Sequence, residues 1–176
     1  MPWTKLARMK LRLIFFAAAI AASLAVPVSN RAQPQSNPAA GQASSSLEYV
    51  NKTCGFRFVL PKSWNGYSIV SDKWKGRILD GPNANKEETG PLLSFRHPLW
   101  TEKNPRQDIP IMIFTLDQWK LIERENLSVS AAPIGPSELG RNAKYVFALP
   151  ARYNFAYLPG YEEVDKIIQS KPLHAF

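Results

Sequence analysis

Ser137 stands in the run Gly135-Pro136-Ser137-Glu138-Leu139-Gly140, and Asp165 and His174 follow it in the chain order of an α/β-hydrolase triad. The residue types suit nucleophilic catalysis, but their spacing does not. A nucleophile elbow needs Gly-x-Ser-x-Gly; here the second glycine comes one residue late, and Pro136 fixes the backbone where a sharp strand-to-helix turn is required. The plainer expectation is a turn or helix N-cap at Ser137, with Glu138 in the first helical turn. Metal chemistry has as little to work with. His97 and His174 are the two histidines, far apart in the chain, and no His-x-x-x-His or Cys-x-x-Cys spacing occurs. Neither a dinucleotide-type nor a Walker-type glycine loop is present, so no cofactor is expected. Cys54 is the single cysteine and cannot form an internal disulfide; a buried thiol beside Phe56 is expected.

Two loops concentrate recognition chemistry instead. Arg96 to Asp108, "RHPLWTEKNPRQD", places Arg96, His97 and Trp100 among acids and further basic residues; "AAPIGPSELGRNA", 131–143, carries Arg141 between turn formers. Tryptophan beside arginine is a composition that interfaces favour, and loops on rigid sheets are where binding residues tend to sit. The expected binding set is Arg96, His97, Trp100, Arg141, Arg152 and Tyr153, gathered on one surface. The competing structural expectation tucks Trp100 under its own loop and pairs the arginines with Asp108 or Glu138.

The elements that position these loops are legible in outline. Phe56, Phe58 and Leu60 alternate onto one face of a strand that Pro61 stops, since proline has no N–H for the ladder. Residues 67–70 and 74–79 read as two strands with a polar turn between them, "DGPNANKEETG" as a loop, and "PLLSFRH" as a strand. Ile109 to Thr115 is apolar at nearly every position, the pattern of a central strand covered on both faces. Thr115 and Gln118 have capping-box spacing, which predicts a helix with Leu116, Trp119 and Ile122 on its inner side. "AKYVFALP" is the next strand. Tyr161, Val164, Ile167 and Ile168 stripe a final helix, with Glu162 and Glu163 at its positive end and Lys171-Pro172 closing it. The echo between Phe58–Trp64 and Phe147–Tyr153 (Phe-x-Leu-Pro-x-x-aromatic) reads as two strands punctuated alike rather than as a duplication.

The string Phe-x-Phe-x-x-Pro-x-x-Trp, at Phe56, Phe58, Pro61 and Trp64, resembles the start of the MOG1/PsbP-like fold. That resemblance implies an antiparallel sheet between helices, with the 161–171 helix as its C-terminal one. The expected class is therefore α+β, a three-layer α/β/α sandwich. Residues 47–176 also resemble a group of small exported bacterial proteins, through "RHPLW", "QDIPIMIFT", "SAAPIGPSELGRNAKYVFALPAR" and "GYEEV". The wider class implies an accessory or binding role rather than catalysis.

Lys5, Arg8, Lys10 and Arg12 precede the apolar run Leu13–Leu24, and Ser23-Leu24-Ala25 offers small residues for cleavage. Residues 1–25 read as a signal peptide, too short in its apolar part for a spanning helix of roughly 20 residues. Residues 26–46, rich in Ser, Ala, Gln and Pro, read as a flexible linker, and 47–176 as one α+β domain. Of the net charge of +8, four positive charges lie in residues 1–25 and one, Arg31, in 26–46; the domain holds 17 Lys and Arg against 14 Asp and Glu, without a basic block. Nucleic-acid binding is not expected. The sequence thus points to an exported protein, periplasmic or secreted, that binds an envelope or secreted protein partner without catalysis; a small extracytoplasmic hydrolase is the alternative. Membrane association is expected only if the N-terminal segment stays uncleaved.

Overall fold

Alternation within single strands divides the hydrophobic residues into two cores. In the computed structural model, which describes residues 46–131 and 134–176, Ile109, Ile111 and Ile113 of strand β5 (Ile109–Thr115) enter one core; Met112 and Phe114 of the same strand enter the other. Strand β8 (Tyr145–Leu149) does likewise, with Phe147 on one side and Val146 and Ala148 on the other. Side chains of a strand point to opposite faces in turn, so an unbroken apolar run requires cover on both. The central, doubly covered strand expected at 109–115 is present. The segments read as signal peptide and linker lie outside the described residues.

Six further strands precede β8: β1 (Leu47–Asn51), β2 (Phe56–Leu60), β3 (Ser68–Ile78), β4 (Glu87–Arg96) and, beyond β5, β6 (Leu127–Ser128) and β7 (Ser137–Arg141), with β9 (Leu173–Ala175) closing the chain. They form an antiparallel six-stranded sheet in the order β6-β3-β4-β5-β8-β7 and a three-stranded one in the order β1-β2-β9. The larger sheet curls into a half-barrel. The small sheet supplies Phe56, Phe58, Leu60 and Leu173 to the first core, joined by Val164 and Ile167 of helix α2 (Tyr161–Gln169). Helix α1 (Leu116–Glu123) closes the second core with Trp119, which lies near Phe114, itself against Trp74.

This corrects the expected three-layer α/β/α sandwich. Among the described residues the fold is mostly β, and its two helices have 8 and 9 residues. At a rise of about 1.5 Å per residue each is roughly 12–14 Å long. Six strands about 4.8 Å apart span roughly 24 Å. The helices cannot roof such a sheet; the small sheet and the curl complete the cover. Two local readings also change. Residues 68–78 form one continuous strand rather than two, and Ser137 begins strand β7 rather than a helix. The capping box is as expected: Thr115 Oγ1 accepts from Gln118 N, and Gln118 Oε1 accepts from Thr115 N. Pro61 and Pro150 each follow the last residue of a strand, which accounts for the repeated string. Among the described residues, no helix is long and apolar enough to cross a membrane.

Candidate binding face on two joined loops

Strands β4 and β5 end at the same edge of the sheet, where Phe95 pairs with Ile109. The residues just outside that pair, Arg96 and Asp108, therefore face one another across the neck of the 97–108 loop. Arg96 Nη2 donates to Asp108 Oδ2 at 2.8 Å and Nε to the same oxygen at 3.1 Å. The guanidinium carbon lies 3.9 Å from the centre of the Trp100 ring, close enough for cation–π attraction. Arg96 and Trp100 thus meet as the composition suggested, but their contacts are internal and hold the loop's neck.

His97 is 5% exposed, with its ring edge-on to Trp64 at 5.0 Å. Its Nδ1 accepts from Leu99 N at 3.1 Å, while Trp100 N donates to the His97 carbonyl at 2.9 Å, closing a turn with Pro98 at its first corner. Burial and the Arg106 charge hold the imidazole below the ordinary histidine range, against weaker opposing effects of Glu163 and the Ser63 backbone.

A second loop, 150–160, joins the first through a residue that the sequence did not single out. Buried Gln107 donates from Nε2 to the carbonyls of Asp108 (2.9 Å) and Tyr153 (3.0 Å), and its backbone N–H donates to Pro159 O. Gly160, in the left-handed region at φ 90°, leaves the space that the Arg106 guanidinium fills: a Cβ there would meet Nη2 at 2.9 Å. Tyr153 is anchored as well. Its hydroxyl donates to Asp165 Oδ1 at 2.6 Å, and burial, then that bond, push its pKa far above the usual tyrosine value. Asn154 Nδ2 also donates to Asp165.

Among the residues these joined loops turn outward are three large apolar ones. Leu99 is 67% exposed, Phe155 71% and Tyr157 68%, with Arg152 beside them in the chain and also exposed. Arg152 (φ 53°) and Tyr157 (φ 47°) sit in the left-handed region, which side chains other than glycine rarely adopt. Such backbone persists where its surroundings dictate it, and it collects at functional sites.

Arg141 is elsewhere. It pairs with Val146, next to the Phe114 row of the sheet, six residues along β5 from Asp108 and so about 20 Å away at the strand rise. There it bridges Glu138, bonded to both oxygens, and Glu123 of α1. The Glu138 carboxyl is held below its ordinary value by that hydrogen bond. The expected single surface therefore divides: Arg96, His97, Trp100, Arg152 and Tyr153 gather at one end of the sheet, and Arg141 stands at the other. Near the 131–143 segment, Ile134 and Pro136 line an open depression of about 320 Å³ with Leu79 and Ile122.

The residues that suggested hydrolysis do not converge. Asp165 is taken by Tyr153 and Asn154, His174 lies on β9 opposite Arg57, and Ser137 lies on β7 opposite Leu149. Cys54 is half-buried against the core that contains Phe56, and burial raises its thiol pKa, away from nucleophilic use. Among the described residues no cluster of three or more His, Cys, Asp or Glu could hold a metal ion. Comparison with protein-family models, with curated proteins and with solved structures finds no match to the chain.

Proposed function

We propose that the protein is an exported, non-catalytic binding or accessory protein that recognises an envelope or secreted protein partner through the 97–108 and 150–160 loops. The observation that carries this reading is the outward set Leu99, Phe155 and Tyr157 on two loops locked together by Gln107. Large apolar side chains that a fold holds out to water, on backbone fixed by buried hydrogen bonds, are what an interface core requires. Arg152 adds the cation that such surfaces favour. Arg96, Trp100 and Tyr153 serve from within by setting the loops' shape. The leader-like residues 1–25 support action outside the cytoplasm.

The test is affinity capture of partners from envelope extract, comparing Val26–Phe176 with its Leu99→Ser/Phe155→Ser/Tyr157→Ser variant. All three side chains are exposed, so the variant is expected to keep its thermal midpoint while losing a protein that the native chain retains. Capture that is unchanged in the variant would place recognition on another surface.

A further inference from the structure

We propose that His97 is a proton-operated latch on the Leu99–Trp100 turn: neutral, it closes the turn through Nδ1, and protonated, it releases it. The geometry leaves the imidazole one way to serve. Because Nδ1 accepts the Leu99 N–H at 3.1 Å, the ring is neutral and carries its proton on Nε2. A proton from solvent can add only at Nδ1, and once there it turns an acceptor into a donor pointing at another donor. The turn keeps the Trp100 N to His97 O bond but loses its side-chain closure.

The surroundings decide how much the proton costs. The loop itself presents the Arg106 guanidinium, whose Nε is buried without a hydrogen-bond partner among the described residues. Helix α2 presents Glu163, which already accepts from Ser63 Oγ at 2.5 Å. The 3₁₀ turn Lys62–Trp64 presents the Trp64 ring edge and the Ser63 backbone. Arg96, next in the chain, is neutralised by Asp108. The burial cost and the Arg106 cation oppose the charged ring and outweigh the already engaged Glu163 anion, which favours it. The unfolded chain takes up this proton first as pH falls below the ordinary value of 6.5, so the stability that neutral His97 contributes is complete above that pH and declines below it. Because the released turn carries Leu99, acid would also loosen the proposed binding face; that consequence rests on the proposed function, whereas the latch does not.

The experiment needs no partner. Imidazole nitrogen shifts and backbone amide exchange are followed in the native chain from pH 8 to pH 4.5. The expected result is an Nε2-protonated His97 that titrates below the ordinary histidine value of 6.5, and a Leu99 protection factor that falls at least tenfold in step with it, while the core amide of Phe114 stays protected. His97→Asn, which places a non-titrating acceptor near the same position, should remove the step. A His97 titrating at or above that ordinary value would overturn the latch. So would a Leu99 amide that ignores the titration, or that opens only together with Phe114. Should the variant fail to fold, the native titration decides alone.

Discussion

Asn142 joins three parts of the chain through one amide. Its Nδ2 donates to the carbonyls of Cys54 (2.9 Å), Gly55 (3.0 Å) and Phe176 (3.3 Å), and its Oδ1 accepts from the backbone of Lys144 and Tyr145. Gly55 makes this approach possible, since a Cβ there would lie 2.6 Å from the Phe176 carbonyl oxygen. Asn142→Ala strands donors and acceptors on three segments and is expected to cost about 1–3 kcal/mol in denaturant unfolding. Asn142→Asp keeps the acceptor but loses the donor, and should cost a comparable amount. Arg152 makes the opposite case. Its left-handed backbone costs roughly 1 kcal/mol that glycine would not. Arg152→Gly is therefore expected to raise stability by about that amount while weakening partner capture. A variant that loses stability would show the side chain to be structural.

At the scale of elements, the β3–β4 pair shows how one glycine can admit an aromatic. Trp74 and Gly90 are register partners; the indole crosses the glycine and donates to the Ile113 carbonyl on β5 at 2.8 Å. A Cβ at Gly90 would lie 2.6 Å from the indole nitrogen and 2.8 Å from Ile113 O, neither of which can retreat within the core. Gly90→Ala should lower unfolding stability by about 1–3 kcal/mol through overpacking; an unchanged midpoint would mean that the indole has another place to go. The sequence placed Gly90 in a loop, because a glycine ending a polar run carries the same signal in both settings. The elements it revealed were those with a strong period or a distinct start: β2, β5, β8, the boxed α1 and the striped α2. The elements it hid were short, polar edge strands. β1, β6, β7 and β9 gain their place from pairing with distant segments, as Arg57 pairs with His174, and no local pattern announces such contacts. Missing them turned a two-sheet fold into an expected helix-flanked one. The site was legible to a similar degree. Arginine, tryptophan and proline marked the 96–108 loop, but Gln107, which ties it to 150–160, looks ordinary in sequence, and only the register of β5 separates Arg141 from the rest.

For the whole molecule, the division into two cores sets where function can reside. Both faces of the central strands are occupied, so the open surfaces are sheet edges, loop ends and the outer side of the small sheet. At the 97–108 end, internal bonds hold Arg96, Gln107 and Asp108, while Leu99 stands outward beside exposed polar residues of the same loop. The most direct measurement is the affinity of the purified captured partner for the native protein and for three variants. One is Leu99→Ser/Phe155→Ser/Tyr157→Ser; the others are Leu79→Ser/Ile134→Ser at the 131–143 depression and Arg141→Ala at the far end of the sheet. Loss of hot-spot side chains at an interface centre costs 2 kcal/mol or more, roughly thirtyfold in Kd. A loss of at least that size in the first variant, with the other two binding as the native protein does, is the predicted result. Native-like affinity in the first variant, or a loss confined to either of the others, would contradict it.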